Sequence, residues 1–201
     1  MIKLLLLLIL GTALGFYQYY KTQNSQNTIG GSISKAKILW LGYAVFNYFV
    51  FSIWLYFQTP MSSAFHGLLG GLIALFYCRF VFQGFLMFGL KKWQPPMGMG
   101  YNILCISVLV IFLIKMPSNA FYTEGVLLLY FIGIILTLAT DTYYAKTFFQ
   151  IVGKRTMGAD AIWYASDEDP QFQRINRITT RLNVFFYALT FIIILLLQFT
   201  K

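Results

Sequence analysis

Charged side chains are scarce in this sequence. Only 10% of its 201 residues are Asp, Glu, Lys or Arg, whereas soluble domains carry roughly 25%. Hydrophobic residues make up 59% of the chain and aromatic residues 19%. This composition excludes an ordinary soluble domain, and the length leaves no room for a separate catalytic domain beside several membrane spans. We therefore predict an integral membrane protein whose first partner is the lipid bilayer.

Histidine and cysteine are almost absent. His66 is the single histidine, so the chain has no pair of histidines to bind haem from both sides or to build a di-iron site. Cys78 and Cys105 lie in apolar segments without metal-ligand or redox spacing, and we interpret them as packing residues. Walker-type, dinucleotide-binding and HExxH motifs are also missing. We predict no cofactor and no metal ion, only bound lipids.

Long apolar runs dominate the rest of the chain. A membrane-spanning helix needs ~20 residues, and six runs approach that length. The first also fits a signal peptide, but an aromatic cluster at its end favours a retained helix. The fourth is the shortest, so it is predicted to be thinly spanning or re-entrant. The predicted fold is all-α, a single polytopic membrane domain with about six transmembrane helices, at 2–20, 38–57, 62–90, 101–116, 125–148 and 183–199.

The connections between these runs are polar or rich in glycine and proline. A loop is predicted at 21–37, and a turn at 94–100. The longest connection, 149–182, is predicted to be a cytoplasmic loop. Within it, Asp167, Glu168 and Asp169 precede a proline, a pattern typical of a helix start.

An amphipathic helix is predicted near 170–182, because apolar residues recur there at spacings of three and four. We expect it to lie on the membrane surface before the last span. Its arginines are Arg174, Arg177 and Arg181. They are expected to meet anionic headgroups, to pair with the acidic residues upstream, or to dock on a partner subunit.

Lys and Arg are unevenly distributed over the connections. If the N-terminus lies outside, the inner loops carry eleven of these residues and the outer parts three, with Arg79 left out because it lies within a run. The positive-inside rule then predicts that both termini are non-cytoplasmic, in a bacterial-type plasma membrane or an organellar inner membrane. This placement also explains the net charge of +9 without a nucleic-acid partner.

Arg79 lies in the middle of the third apolar run. Its guanidinium stays charged, and burying it at the centre of a membrane helix costs at least ~2.5 to 3.5 kcal/mol. It therefore predicts a polar partner inside the bundle, for which Asp141 is the candidate. Counted from Lys91 and Lys146, however, the two side chains lie at different depths, ~18 Å and ~7.5 Å from the membrane surface.

Further polar residues fall on the same helix faces. Gln83 shares the face of Arg79, and Asn47 lies inside the second run. Thr137 and Tyr144 share the face of Asp141. Two interpretations remain open for this set: a structural seam between helices, or the lining of a path for an anion or a proton.

His66 is predicted to lie near the outer membrane interface, six residues after Pro60. A hydrogen-bonded or snorkelling imidazole is the common case at such a place. Ser63 is three residues away, but no carboxylate is in position to orient the ring for hydrolysis.

The leading functional hypothesis is a non-catalytic integral subunit of a larger membrane protein complex, which contributes helix-packing surface and a cytoplasmic docking loop. The alternative is a small transporter or channel with a polar path around Arg79. A membrane enzyme that acts on lipid, through His66 or the acidic loop, comes third. Catalysis itself stays uncertain, because the sequence offers no positive signal for it.

Overall fold

The structure of the chain is a computed structural model that describes residues 6–7, 9–13, 17, 34–90, 95–116, 124–152 and 166–199. Within these residues, five helices are long and apolar enough to cross a membrane. The all-α polytopic fold is thereby confirmed. The helices are α1 (Lys35–Gln58), α2 (Ala64–Gly84), α3 (Pro95–Lys115), α4 (Gly125–Val152) and α5 (Pro170–Phe199).

Several predicted features lie outside the described residues. They include most of the first predicted span at 2–20 and most of the loop at 21–37. Lys91, Lys92 and the middle of the 149–182 connection, at 153–165, also lie outside them.

α1 and α2 form a helical hairpin, and a serine caps the N-terminus of each helix. Ser34 accepts a hydrogen bond from the Lys37 amide at 3.2 Å, and Ser63 accepts one from the Phe65 amide at 3.0 Å. These caps satisfy amide groups that have no partner within the helix. The hairpin turn lies at 59–63, where the Ser63 amide donates to the carbonyl of Pro60.

Each helix of the hairpin contains a π-helical segment. In α1 it is Val45–Phe51, and α2 continues into a second one at Phe85–Gly89. Such widened turns are rare and frequently occur at functional sites. The segment in α1 carries Asn47 and Tyr48, both buried.

α3 begins earlier than the sequence predicted. The predicted turn at 94–100 is wrong, because the helix already starts at Pro95. Proline is tolerated in a first turn, where its missing N–H would have no intrahelical partner. With 21 residues, α3 is ~32 Å long, so it is long enough to cross the ~30 Å hydrocarbon core of a bilayer.

α5 is one continuous helix. The prediction of a separate surface helix at 170–182 is therefore wrong. The helix starts at Pro170 as predicted, but it runs without interruption to Phe199. Its first turns pack against the end of α4, where Phe172 and Ile175 are buried with Phe148 and Val152. α4 extends to Val152 rather than to 148. The apolar side of the amphipathic segment therefore packs against the end of α4.

The main core is rich in aromatic residues and joins all five helices. Phe65 and Phe131 stack at 5.3 Å, and Tyr130 meets Phe51 edge to face at 5.5 Å. α4 lies in the middle, with α3 and α5 packed against it, and α1 packs on α5. α2 lies outside this group, in contact with α1 and α3.

Candidate functional site

A buried ion pair links α2 to α4. Nη2 of Arg79 donates to Oδ2 of Asp141 at 3.0 Å, and both residues are 8% exposed. Asn102 of α3, which is fully buried, donates to the same carboxylate oxygen at 2.7 Å. Three helices thus meet at one carboxylate. The arrangement satisfies the requirement that a buried charge be paired and hydrogen-bonded.

The two charges lie at similar depths in the bundle. Arg79 is ~15 Å from the end of the helical segment at Gly89, and Asp141 is ~16 Å from the end of α4 at Val152. The depth difference expected from the sequence is wrong, because it placed the end of the fifth span near Lys146. That helix continues beyond Lys146 for six residues.

Lys37 adds a second basic side chain near Asp141. Its ammonium lies 4.6 Å from the centroid of the Trp40 ring and 5.4 Å from that of Tyr144. Lys37, Trp40, Tyr144 and Asp141 border a space of about 10 Å³, which is room for a single water molecule.

A larger cavity lies between α1 and α2. It measures about 320 Å³, and Trp40 borders both this cavity and the small space beside Asp141. In its wall, the rings of Tyr48 and Phe76 are stacked with their centroids 4.0 Å apart. Eleven residues line it: Trp40, Leu41, Ala44, Val45, Tyr48, Phe49, Phe76, Arg79, Phe80, Gln83 and Gly84.

Three of the residues that line this larger cavity carry a buried polar atom without a hydrogen-bond partner. The atoms are Nη1 of Arg79, the hydroxyl of Tyr48 and Nε1 of Trp40, and none of them bonds to another part of the described chain. Buried polar groups of native proteins are nearly always paired, so each exception calls for an explanation. All three exceptions belong to residues that line the same cavity.

Asn47 and Thr137, predicted for the same polar set, lie elsewhere in the bundle. The Asn47 carbonyl accepts from the Tyr130 hydroxyl at 3.0 Å, and its Oδ1 accepts from Thr190 at 3.3 Å. Asn47 therefore joins α1 to α4 and α5. Thr137 donates to the Gly133 carbonyl of its own helix at 2.8 Å.

Gln83 and Tyr144 stay close to the ion pair, about one helical turn from Arg79 and from Asp141, respectively. Gln83 lines the larger cavity and Tyr144 the small space beside Asp141. The structure thus divides the predicted polar set into two groups. One is the ion pair with Gln83 and Tyr144, and the other is the group of hydrogen bonds around Asn47.

His66 is engaged locally at the start of α2. Its Nδ1 lies 2.9 Å from the carbonyl oxygen of Thr59, and its ring lies 4.3 Å from that of Tyr56. The neighbouring Ser63 hydroxyl donates to Glu124 at the start of α4. These contacts fasten the hairpin turn to α4.

The acidic residues before α5 serve two helix starts. Asp167 accepts from the Lys35 amide at 3.0 Å, and Asp169 accepts from the Gln171 amide at 2.8 Å. Glu168 is exposed, and its own amide donates to the Ser166 hydroxyl at 3.1 Å. Carboxylates at these positions are stabilised by the partial positive charge of a helix N-terminus.

The arginines Arg174, Arg177 and Arg181 are exposed along α5. Arg177 and Arg181 border a surface groove of about 400 Å³ together with Lys35 and Asp167. The groove is therefore basic on balance and lies at the end of the bundle where α1 and α5 begin.

Sequence reasoning missed Asn102, Lys37, Trp40 and Tyr48. Asn102 carried a usable signal, because it is an amide in an otherwise apolar run. Lys37 was assigned to the preceding loop, and α1 starts two residues before it. Trp40 and Tyr48 gave no signal, since an aromatic residue with an unpaired polar atom looks in sequence like any other aromatic residue.

No protein-family model matches this chain, and neither a curated protein nor a solved structure is significantly similar to it.

Proposed function

We propose that this protein binds, within the membrane, an amphiphilic ligand whose headgroup supplies hydrogen-bond acceptors. The observation that carries the proposal is that three residues lining one cavity, Trp40, Tyr48 and Arg79, each have a buried donor without a partner in the described chain. An unsatisfied buried donor costs about 1–3 kcal/mol, and more if it is charged. An acceptor that meets these donors therefore stabilises the complex.

The surroundings of the cavity favour a ligand that enters from the bilayer. Val45 and Phe80 line the cavity and are 49% and 65% exposed. The cavity therefore opens towards the outside of the helix bundle. Most of the remaining lining is apolar, which suits a hydrocarbon tail. Donors at one end and apolar walls at the other match the two parts of an amphiphile.

A path for a hydrated ion receives less support. The space beside Asp141 holds only one water molecule. Trp40 borders both this space and the larger cavity. A hydrated ion is larger than one water molecule, so the space beside Asp141 is too small for it.

The test is a binding measurement on the full-length protein in nanodiscs of zwitterionic lipid. Trp54, Trp93 and Trp163 are replaced by Phe, so that Trp40 is the only tryptophan. The probes are single-chain amphiphiles brominated on the chain, since bromine quenches tryptophan fluorescence at short range. We expect saturable quenching that the unbrominated amphiphile reverses.

Two glycine variants provide a matched comparison. A Cβ added at Gly84 or at Gly100 meets no atom of the described chain within 4 Å, but only Gly84 lines the cavity. We expect Gly84→Leu to fill the cavity and abolish the saturable quenching, and Gly100→Leu to retain it. Quenching that rises linearly with probe concentration, or that is equal in both variants, overturns the proposal.

A second candidate function is that of a non-catalytic subunit of a larger membrane complex. It is favoured by small residues that follow one another at spacings of three and four along the exposed face of α2: Ala64, Gly67, Gly71, Ala74 and Cys78. Such residues allow helix backbones to approach closely in lipid, so the fitting occupant is a transmembrane helix of another chain. This face is opposite the cavity, so the two functions are compatible.

A further inference from the structure

The guanidinium of Arg79 favours an anionic ligand. Its Nη2 is paired with Asp141, whereas its Nη1 has no hydrogen-bond partner within the described residues. Hydrogen bonds from a guanidinium to an anionic acceptor are shorter and stronger than those to a neutral acceptor. An anionic headgroup therefore gains more from Nη1 than a neutral headgroup does.

The unpaired atoms define the chemistry of the headgroup. The guanidinium nitrogen of Arg79 and the indole nitrogen of Trp40 can only donate, whereas the Tyr48 hydroxyl can donate or accept. An ammonium group has only donors to offer, and a single hydroxyl oxygen cannot meet three donors well. A carboxylate has two acceptor oxygens, and its hydrogen bonds with a guanidinium are roughly twice as strong as neutral ones.

The position and size of the cavity limit the ligand further. Arg79 lies ~15 Å from the end of its helical segment at Gly89, well below the level of the lipid headgroups. A bulky zwitterionic headgroup would lose its hydration there, but a small carboxylate exchanges water for the three donors. A cavity of about 320 Å³ lies at the small end of the ~300–1,000 Å³ range of ligand sites and suits one chain rather than two.

We infer that the ligand is a single-chain carboxylate with the chemistry of a long-chain fatty acid. Its carboxylate binds Arg79, Tyr48 and Trp40, and its chain leaves the cavity between Val45 and Phe80. This inference rests on the proposed function, because it names the ligand class of the same cavity.

The experiment compares brominated probes that share one chain and differ in the headgroup: the acid, its methyl ester, the alcohol and the alkyl phosphate. Full-length protein with Trp40 as the only tryptophan is again held in zwitterionic nanodiscs. We expect the acid to bind at least about tenfold more tightly than the ester and the alcohol, because it alone of these three brings a charge to Arg79.

A point variant tests the headgroup contact without disturbing the ion pair. Tyr48→Phe keeps the ring that stacks on Phe76 and removes only the hydroxyl. We expect it to weaken binding of the acid about fivefold to tenfold, as the loss of one hydrogen bond does. Gly100→Leu, remote from the cavity, should bind the acid like the unmodified protein.

The possible results separate the inference from the proposed function. Equal binding of acid and ester, blocked in both cases by Gly84→Leu, leaves amphiphile binding in place and overturns the carboxylate. Tighter binding of the alkyl phosphate than of the acid overturns it as well. If no probe binds saturably, both the inference and the proposed function are overturned.

Discussion

Arg79 uses its two terminal nitrogens differently. Nη2 donates to Asp141, whereas Nη1 has no partner within the described residues. In a buried ion pair the Coulomb attraction mainly offsets the desolvation of the two charges, so the pair adds little net stability. Its larger effect is geometric, because Asp141 also accepts from Asn102 and so fixes α2 and α3 against α4.

We expect Arg79→Gln to lower the free energy of unfolding by about 3–5 kcal/mol, because it leaves the Asp141 carboxylate buried without its cation. Chemical denaturation of the purified protein in detergent measures this loss. The double variant Arg79→Gln/Asp141→Asn should recover most of it, since two neutral amides replace the two charges.

Gln83→Ala is the control for that measurement, because Gln83 is one turn further along α2 and outside the ion pair. It should change the free energy of unfolding little. If Arg79→Gln is as stable as the double variant, the carboxylate is not held in a buried environment and the structural role of the pair is refuted.

At the scale of single residues, the sequence indicated the two charges but not their surroundings. A lone arginine in an apolar run requires a partner, and Asp141 was the available carboxylate. The contributions of Asn102 and Lys37 depend on which helices are neighbours, which no local pattern encodes. The unpaired donors could not be predicted for the same reason, because the packing of all the helices determines whether a polar atom has a hydrogen-bond partner.

The helix α2 has two different faces. One face packs the ion pair and the cavity, and the other presents the small residues Gly67 and Gly71 to the outside. A Cβ added at either of these glycines meets no atom of the described chain within 4 Å. Substitutions on this face therefore probe contacts with other chains rather than the fold itself.

We expect the double variant Gly67→Leu/Gly71→Leu to reduce the size of the particle extracted in mild detergent from the native membrane, without lowering the thermal stability of the chain. Light scattering after size exclusion measures the size. The bulky side chains prevent a second helix from approaching closely, whereas Gly100→Leu should leave the particle intact.

The opposite outcome is equally informative. If the unmodified chain already runs as a monomer, or if both variants give particles of the same size, the subunit function loses the observation that favours it.

The sequence predicted the existence of the helices better than their ends. Apolar runs of the right length identify spans, because transfer of side chains into lipid dominates their free energy. The ends were misplaced where polar residues are buried by other helices rather than by lipid. At α5, Phe172 and Ile175 are buried against Phe148 and Val152 of α4, so the segment that hydropathy assigned to the surface packs on another helix.

The basic residues of the described part of the molecule are concentrated at one end of the bundle. If the five helices alternate in direction across the membrane, six basic residues of the described chain lie at the end where α1 and α5 begin: Lys35, Lys37, Lys146, Arg174, Arg177 and Arg181. At the other end, Lys115 is accompanied by Glu124. By the positive-inside rule, the first of these ends is proposed to face the cytoplasm.

Cysteine labelling in sealed vesicles checks this orientation. We expect Arg177→Cys to react with a membrane-impermeant maleimide only from the cytoplasmic side and Met61→Cys only from the opposite side, in a background in which Cys78 is Ala. Met61 is 88% exposed and precedes α2. Three crossings separate the two positions, so labelling of both from the same side would contradict the arrangement of the spans.

The uninterrupted course of α5 has a mechanical consequence. Its 30 residues form a rod of ~45 Å, which exceeds the ~30 Å hydrocarbon thickness of a bilayer. The same continuous helix carries the exposed arginines at one end and Thr190, which hydrogen-bonds to Asn47 of the π-helical segment. That segment also supplies residues to the wall of the cavity. A tilt of the basic end of α5 is therefore expected to displace this wall.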